Sequence, residues 1–371
     1  MEEEKMPAYE KGLFYPVKLG EIFNARYQVL GKLGFGANST VWFCRDLKLH
    51  RYVALKIYIR NSTSKREGEI LKYLTGFRSS HPGSSKFRKM LDAFETSGPT
   101  GEHPCLVHEP LITSLLHLQA IFVGHRLPES ALKPLLRELL TALDFLHSEA
   151  HVIHTDIQAK NIMIGTTDPM IFDEWDKLEI EDPTPRKAVD NYMVYRSRLF
   201  KPKPGWKGWG LPILADFGTA RIAEGEQEGL IQPFIYRAPE VVLGMKWNEK
   251  VDIWNVGVLI WDLLESRHMF DGDNPEGNQS NAHLLAEMIA LLGPPPAGYL
   301  KRSKESWRYW DESGTWKDMV IIPKNSLEES EEYLEGENKK LFLRFMRKML
   351  TWAPEERHSA RELLLDDWLS R

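Results

Sequence analysis

An aspartate and an asparagine stand five positions apart, as Asp156 and Asn161, between a leucine-rich helical pattern and an apolar strand pattern. At that spacing a carboxylate can accept a proton from a hydroxyl group while an amide oxygen ligates Mg²⁺. Asp216 follows the apolar run 213–215, where it could bridge a metal ion to phosphate oxygens. Either aspartate alone could equally be a turn residue, so the assignment depends on what accompanies them.

A glycine-bearing turn precedes these residues in the chain. Gly34, Gly36 and Ser39 form a Gly-x-Gly-x-x-Ser pattern. Lys56 follows Gly36 by twenty residues, within the strand pattern 51–58. A glycine turn lets backbone N–H groups approach phosphate oxygens, and a lysine on the adjacent strand can supply a cation. Taken singly, the glycines could form a hairpin that binds no ligand, and the lysine could be a solvated charge.

A lysine in that position needs a carboxylate to hold it. Glu67 lies in the helical pattern 65–74, three residues before an apolar pair, where it could face Lys56. Glu69 competes for the same role, and the spacing favours Glu67 without excluding its competitor. Such a pair would act by positioning the lysine, because an exposed ion pair contributes only about 0–1 kcal/mol to stability.

Jointly, and in this order along the chain, these residues predict a protein-kinase fold. Lys56, Asp156, Asn161 and Asp216 are expected to meet around one magnesium–triphosphate group, although they lie far apart in the sequence. Such an arrangement catalyses by positioning the reactants and neutralising their charge.

Two other motifs would support this fold without taking part in the chemistry. Glu240, which ends an Ala-Pro-Glu motif, is predicted to form an ion pair with Arg357. Asp252 is predicted to anchor the backbone of the loop that contains Asp156. We interpret all three as structural residues.

The elements that must position these residues change character along the chain. Patterns typical of strands lie at 27–30, 33–43, 51–58 and 105–108. Patterns typical of helices lie at 65–74, 130–147, 251–265, 282–292, 339–350 and 360–364. Because strands come first and helices follow, the sequence predicts an α+β, two-lobed protein kinase fold with a small β-rich N-lobe and a large α-helical C-lobe.

The predicted domain bounds follow from the same change. Residues 1–20 are charged and turn-rich, and they are expected to form an N-terminal arm rather than core. The N-lobe is placed at 21–109 and the C-lobe at 110–371. The C-lobe includes a spacer insertion, 166–212, which shows little periodicity but contains tryptophans that favour docking of part of it on the body.

The composition excludes several classes of protein. The 371 residues are 42% hydrophobic and 27% charged, which excludes a disordered chain, and a net charge of −5 argues against wholesale nucleic-acid binding. Two cysteines, Cys44 and Cys105, are too few for a disulfide framework or a four-cysteine zinc site. No apolar run approaches the ~18 residues of a membrane span, and the acidic start is unlike a signal peptide. We therefore expect a soluble intracellular protein without direct nucleic-acid or membrane binding.

Several motifs carry a resemblance to one family: Gly20-Glu21, Arg26-Tyr27, Lys32-Leu33-Gly34-Phe35-Gly36, Ser39-Thr40-Val41-Trp42, His154-Thr155-Asp156, Gly208-Trp209-Gly210-Leu211-Pro212 and Tyr236-Arg237-Ala238-Pro239-Glu240. They resemble the SR protein kinase family of the CMGC group, and the segment 183–212 is similar to its fungal members. The resemblance implies a CMGC-type insert at about 266–325. It also implies a monomeric enzyme that uses ATP and Mg²⁺. Its substrates would be serine, less often threonine, in Arg/Ser-rich proteins such as splicing factors.

The same resemblance implies which residues do the work. The catalytic set would be Asp156, Lys160, Lys56 and Glu67, and the metal ligands would be Asn161 and Asp216. The nucleotide would be bound by Leu33, Gly34, Gly36, Ser39, Val41, Ala54, Lys56, Glu109 and Leu111.

The sequence departs from the family pattern at some of these places. Gln158 stands where most serine kinases carry a lysine that meets the transferred phosphate, and Lys160 is predicted to compensate for it. His108 precedes the hinge residue Glu109 and is predicted to be a core histidine with satisfied hydrogen bonds; a polar wall of the adenine pocket is the alternative.

Activation is also expected to differ from that of many kinases. Thr155 replaces the arginine that pairs with an activating phosphate, and residues 220–235 contain no Ser, Thr or Tyr. Glutamates at 224, 226 and 228 stand there instead. The arginine that would bind an activating phosphate and the hydroxyl residues that would carry it are both missing. We therefore expect activity without phosphorylation of this segment.

Two alternatives remain open at this stage. The chain could be a catalytically weak pseudokinase that serves as an interaction module, which Gln158 and Ser39 favour. It could also be an active kinase with a substrate that is not Arg/Ser-rich, because His283 and Ala290 lie near positions where family members carry peptide-docking acids. Residence in both cytoplasm and nucleus is expected.

Overall fold

The computed structural model describes residues 2–60, 64–99, 101–189, 192–223 and 225–370. The strands are β1 (Ile22–Phe23), β2 (Tyr27–Gly36), β3 (Ser39–Asp46), β4 (Arg51–Tyr58), β5 (Met90–Gly98), β6 (Gly101–His108), β7 (Thr113–Ser114), β8 (Val152–Ile153), β9 (Ile162–Thr166), β10 (Arg186–Val189), β11 (Tyr192–Tyr195), β12 (Trp209–Leu214) and β13 (Arg221–Ile222). The α-helices are α1 (Pro7–Glu10), α2 (Ser64–Gly76), α3 (Leu115–Gln119), α4 (Glu129–Ser148), α5 (Met170–Glu181), α6 (Pro239–Val242), α7 (Lys250–Glu265), α8 (Asn281–Leu292), α9 (Ala297–Leu300), α10 (Ser306–Tyr309), α11 (Leu327–Ser330), α12 (Gly336–Arg347), α13 (Ala360–Leu364) and α14 (Asp367–Ser370). Turns of 3₁₀ helix lie at Glu3–Lys5, Pro82–Ser85, Val123–His125, Ala159–Asn161, Phe234–Tyr236 and Pro354–Glu356.

The chain packs as two compact units that interleave in sequence. The first unit contains Met1–Arg78, Phe87–Ser114 and Met163–Gly218. The second contains Ser79–Lys86, Leu115–Ile162 and Thr219–Arg371. The sequence placed one boundary after residue 109, whereas the packing assigns the whole spacer insertion, 166–212, to the first unit.

The first unit is built on an antiparallel sheet with strand order β1-β2-β3-β4-β6-β5. One face of the sheet packs on a core of buried aromatic and aliphatic side chains. That core includes Tyr27, Trp42, Val53, Leu55 and Val107. The sheet holds the predicted glycine turn between β2 and β3, and it holds Lys56 on β4.

The spacer insertion is more ordered than its weak periodicity predicts. It contains the twelve-residue helix α5 and the antiparallel hairpin of β10 and β11. Trp175 of α5 packs edge-on against Phe43 of β3, with ring centroids 4.8 Å apart, and Phe200 packs against the same ring at 5.4 Å. Docking of the spacer's aromatic residues is therefore confirmed, and the tryptophans that pack in this cluster are Trp175 and, partly buried, Trp206. The helix escaped prediction because its apolar side chains lie among six acids within residues 173–182.

The N-terminal residues are also part of the first unit's packing, which corrects the predicted arm. Val17 is 2% exposed and belongs to the core cluster beneath the sheet. Nearby, the buried ammonium of Lys32 on β2 lies 2.8 Å from Glu2 and also pairs with Glu3. Glu2 and Glu3 therefore belong to ion pairs with a buried lysine, while the lysines of the segment itself are exposed.

The second unit is helical, and its long helices agree with the prediction. The leucines of α4 at spacings of three and four are buried, as expected for an amphipathic helix. Helix α7 is buried on nearly all sides, which explains its almost continuous apolar sequence. Within the parts of the chain that the structure describes, a helix with the length and apolar character of a membrane span is not found.

Candidate active site

The predicted ion pair on the sheet of the first unit is present. Nζ of Lys56 lies 2.8 Å from Oε2 of Glu67, and the two side chains are 12% and 4% exposed. Glu69, the competing candidate, is exposed on the same helix. The helix α2 presents Glu67 in its first turn because its apolar residues occupy the face that packs on the sheet.

Asp216 belongs to the same unit and lies beside this pair. Its Oδ1 is 3.4 Å from Nζ of Lys56, and its side chain is about half exposed. The backbone φ of Asp216 is 64°, in the left-handed region that aspartate tolerates better than most residues. Burial alone would lower the pKa of Lys56, but the carboxylates of Glu67 and Asp216 outweigh it and raise that pKa above its usual value. The lysine is therefore a stable cation.

The glycine turn is formed by the ends of β2 and β3, where Gly36 pairs with Ser39. A Cβ atom added at Gly34 or Gly36 would meet no heavy atom of the described structure within 4 Å. The backbone of this turn is therefore open enough for close approach by a phosphate group. Val41, on the second strand of the turn, pairs directly with Lys56.

The remaining nucleotide candidates lie along the same sheet and the segment after it. Ala54 is 1% exposed and pairs across strands with His108. Leu33 is half-buried, Glu109 is exposed and Leu111 is half-buried. All of them belong to the first unit, as the glycines and Lys56 do.

His108 is a core residue, but its hydrogen bonding is only half satisfied. Its Nδ1 lies 2.9 Å from the carbonyl oxygen of Lys89, so this nitrogen carries the proton. No described residue hydrogen-bonds to the buried Nε2. Burial, followed by the charge of Arg88, holds the pKa of His108 well below its usual value, so the ring is neutral. The predicted satisfied histidine is therefore wrong in this respect.

In the second unit, Asp252 anchors the loop that carries Asp156, as predicted. The backbone N–H groups of His154 and Thr155 donate to the two oxygens of Asp252 at 2.8 and 2.7 Å. His147 approaches the same carboxylate at 2.9 Å. The buried carboxylate therefore fixes the backbone immediately before Asp156.

Two amide side chains hold the carboxylate of Asp156. Nδ2 of Asn161 donates to Oδ2 at 2.7 Å and to the Asp156 carbonyl at 2.9 Å. Nε2 of Gln158 donates to Oδ1. Burial raises the pKa of Asp156, and the charges of His154 and Lys160 together with these amide donors oppose the rise. The result is an oriented carboxylate that is more basic than an ordinary aspartate.

The candidate donors suit Mg²⁺, which binds proteins through one or two oxygen side chains plus phosphates rather than through a complete protein cage. Asn161 uses its nitrogen toward Asp156, so its oxygen is the atom that can ligate a cation. Asp216 offers a half-exposed carboxylate. Among the described residues, no cluster of three or more His, Cys, Asp or Glu side chains is arranged to hold a metal by itself.

The start of the activation segment, which we define as residues 216–240, is hydrogen-bonded by neutral groups to the loop that carries Asp156. Oγ1 of Thr155 donates to Thr219, with distances of 3.0 Å to its carbonyl oxygen and 2.9 Å to its hydroxyl. Gln232 donates to the carbonyl of Val251 at 2.9 Å and accepts from the backbone of Ala238 at 2.9 Å. Glu224, one of the acids noted in this segment, lies outside the described residues.

The far end of this segment is held by the predicted ion pair. Arg357 donates to both oxygens of Glu240 at 2.6 and 2.7 Å, and both side chains are at most 1% exposed. A bidentate pair of this kind fixes the two groups geometrically. Both are structural residues, as predicted.

Sequence reasoning missed three contributors to this region. Gln158 was treated as the loss of a lysine, whereas it hydrogen-bonds the Asp156 carboxylate. Gln232 joins two parts of the chain, and Tyr58 contacts Glu67. The position of Gln158 two residues after Asp156 could have suggested its contact, whereas the other two depend on pairings between distant segments.

Comparison with known proteins agrees with this geometry. A family model described as protein kinase domain matches residues 27–175 and 210–369. A serine/threonine protein kinase of Aspergillus fumigatus is 59% identical over 369 residues, which cover 100% of this chain and 91% of that protein. The serine/threonine-protein kinase SRPK of Physarum polycephalum is 29% identical, covering 98% of this chain and 90% of that protein.

A kinase domain known from a crystal structure superposes with a TM-score of 0.73 at 22% identity, over 97% of this chain and 99% of that domain. The predicted α+β, two-lobed kinase fold is therefore confirmed. The chain belongs to the protein kinase family, as a serine/threonine protein kinase related to the SR protein kinases.

Proposed function

We propose that this kinase transfers the γ-phosphate of Mg-ATP to serine in Arg/Ser-rich proteins, without prior phosphorylation of its activation segment. The observation that carries the second part is the neutral hydrogen bond between Thr155 and Thr219. The first part is supported by the resemblance to SR protein kinases and by the Physarum relative named SRPK.

Each site residue has a role in this proposal. Asp156 orients the substrate hydroxyl and accepts its proton, and its raised pKa suits a base. Lys56, held by Glu67, binds nucleotide phosphates. Asn161 and Asp216 supply oxygen ligands for Mg²⁺. When bound, ATP supplies the phosphoryl group and Mg²⁺ neutralises its developing charge.

An ATP-turnover assay separates this proposal from a pseudokinase. The wild type is expected to transfer phosphate to a serine peptide, whereas Asp156→Asn and Asp216→Ala are expected to lose transfer. If the wild type is no faster than these two variants, the pseudokinase alternative holds. The Gln158–Asp156 hydrogen bond favours the active enzyme, because it gives the residue that replaced lysine a contact with the base.

Independence from phosphorylation is supported by the neutral hydrogen bonds that stand in place of the usual arginine–phosphate pair. An arginine at position 155 would be a cation that needs a phosphate as its partner. The hydroxyl of Thr155 instead has a hydrogen-bond partner in Thr219. Gln232 adds two neutral hydrogen bonds, one to Val251 of α7 and one to Ala238 within the activation segment. The segment is therefore held by groups that are present before any modification.

Phosphatase treatment of the purified chain tests this point. The treated enzyme is expected to keep its kcat, and Thr155→Val, which keeps the side-chain shape but removes the hydroxyl, is expected to lower it. Loss of activity on dephosphorylation of the wild type, with recovery on rephosphorylation, would contradict the proposal.

A second candidate is an active kinase for serines outside Arg/Ser-rich segments. His283 and Ala290 lie on α8 near the places of the family's docking acids, and Nδ1 of His283 lies 2.9 Å from Ser280 as part of the helix start. Neither residue offers a carboxylate to an arginine. A peptide array decides between the two, because the first predicts the fastest transfer to serines flanked by arginine.

A further inference from the structure

The hydroxyl of Tyr58 donates a hydrogen bond to Oε2 of Glu67, the same oxygen that lies 2.8 Å from Nζ of Lys56. Tyr58 ends β4 two residues after Lys56, and because side chains alternate along a strand, both point to the same face of the sheet. Tyr58 is only 6% exposed. One strand therefore presents two hydrogen-bond donors to a single carboxylate on α2.

The ring of Tyr58 also contacts the lysine. Nζ of Lys56 lies 4.9 Å from the centroid of the ring, within the range over which an aromatic face attracts a cation. Tyr58 thus contacts both members of the ion pair: its hydroxyl binds the carboxylate of Glu67, and its ring lies against the ammonium.

These contacts matter because Lys56 has competing anions. Its ammonium also lies 3.4 Å from Oδ1 of Asp216, and nucleotide phosphates compete for the same cation. A lysine drawn toward these groups weakens its hold on Glu67. The hydroxyl of Tyr58 is uncharged, so the same anions do not draw it away to the same degree.

Apolar packing alone does not fix the orientation of α2 on the sheet. Ile70, Leu71 and Leu74 bury one face of the helix, but such contacts are non-directional. A hydrogen bond from a rigid ring on a central strand fixes direction as well as distance. Glu67 is the residue through which that direction is transmitted to the helix.

We propose that Tyr58 is a positioning residue that tethers α2 to β4 through Glu67, so that the Lys56–Glu67 pair stays formed while Lys56 binds phosphate. This inference rests on the proposed function. It adds a reason, contained within the first unit, why the enzyme needs no phosphate on its activation segment to assemble the pair.

Two substitutions separate the hydroxyl from the ring. Tyr58→Phe keeps the ring and its volume but removes the donor to Glu67, and Tyr58→Leu removes both contacts. Tyr52→Phe is the matched control, because Tyr52 lies on the same strand and its hydroxyl donates to Asp173 of α5 at 2.9 Å. It removes a tyrosine hydroxyl from β4 without touching α2.

The full chain is assayed for kcat and for the KM of ATP, and backbone hydrogen exchange is followed in residues 64–76. Tyr58→Phe is expected to lower kcat about tenfold and to speed exchange in α2 by a similar factor, with a KM for ATP within about twofold of wild type. Tyr58→Leu is expected to raise the KM for ATP as well, because Lys56 loses the ring. The control is expected to match wild type in all three measurements.

Wild-type kcat and wild-type exchange of α2 in Tyr58→Phe would overturn the inference, as would equal changes in Tyr52→Phe. Since Tyr58→Phe preserves the volume of the buried ring, it decides the question even if Tyr58→Leu fails to fold. If the unphosphorylated wild type has no activity, the proposed function fails, whereas the exchange of α2 in Tyr58→Phe still decides whether the tether exists.

Discussion

The side-chain nitrogen of Asn161 lies 2.7 Å from the carboxylate of Asp156 and donates to it, while Gln158 donates to the carboxylate's other oxygen. The carboxylate of Asp156, the proposed base, is thus oriented by two neutral amides. A lysine in place of Gln158 would have added a full positive charge next to the carboxylate and lowered its pKa. The structure keeps Lys160 as a nearby cation, and its effect on the pKa of Asp156 is smaller than the effect of burial.

Replacing Gln158 by leucine is expected to move the pH dependence of catalysis. Because the Gln158 hydrogen bond lowers the pKa of Asp156, its loss should raise that pKa further. In the proposed function the active form of Asp156 is the carboxylate, so the acid limb of the kcat profile should shift to higher pH. At neutral pH kcat should fall about tenfold, as expected for a lost hydrogen bond to a charged group.

Steady-state kinetics across pH measure both effects. Gln28→Leu, on β2 in the first unit, serves as the matched control and should keep the wild-type profile. A Gln158→Leu enzyme with lowered kcat but an unmoved acid limb would show that Gln158 does not act through the protonation of Asp156.

Replacing Lys160 by methionine is expected to have a larger effect on rate. If Lys160 meets the transferred phosphate in place of the missing lysine, its loss should lower kcat by about 10²–10³, as for other removed transition-state donors. The acid limb should also move up, because the charge of Lys160 lowers the pKa of Asp156. Single-turnover kinetics measure the transfer step, with Lys340→Met as an exposed-lysine control whose rate should not change.

Much of the fold could be predicted because the relevant signals are local. The spacing of the leucines in α4 and the apolar run in α7 predict which side chains are buried. The predicted bounds of these helices differ from the observed ones by one residue. Helix α5 could not be found this way, since Trp175 lies among acids in the sequence. Its burial depends on a contact with Phe43, which lies on a strand distant in the sequence. Val17 was missed for the same reason.

The site shows the same division. Motif spacing predicts the roles of Lys56, Glu67, Asp252 and the Glu240–Arg357 pair. Each motif residue is expected to contact one kind of partner at a defined position in the sequence. The hydrogen bond from Tyr58 depends on the rotation of α2 about its axis, which sequence periodicity does not determine to within a side chain.

A glycine on β2 tests the packing of α5. A Cβ atom at Gly31 would lie 2.5 Å from Cη2 of Trp175, a separation that side chains do not tolerate. Gly31→Ala is therefore expected to lower the free energy of unfolding by about 1–3 kcal/mol. In a Trp175→Phe background, where the smaller ring leaves room, the same change should cost clearly less. Urea unfolding of the four proteins gives the coupling energy, and a coupling near zero would show that α5 does not depend on this contact.

Glu265, at the end of α7, carries a buried carboxylate in an unfavourable setting. It is 4% exposed, and a backbone hydrogen bond from Glu332 only partly offsets its burial. Burial, with the charge of Glu331 as the second cause, raises the pKa of Glu265 to about 7, although Arg267 lies 3.8 Å away. Glu332 adds a further negative charge nearby.

A carboxyl group whose pKa is raised in the folded state makes its full contribution below the unfolded pKa, here 4.5, and has lost it once pH rises through the folded value of about 7. Glu265→Gln removes the ionisation, so it should unfold like wild type at about pH 4 but be more stable by about 1–3 kcal/mol at about pH 8. Urea denaturation at both pH values measures the difference. Glu337→Gln, which removes a 66% exposed acid that pairs with Lys340 on α12, is the control and should show little pH-dependent gain. An equal gain from Glu265→Gln at both pH values would mean that the ionisation of Glu265 does not limit stability.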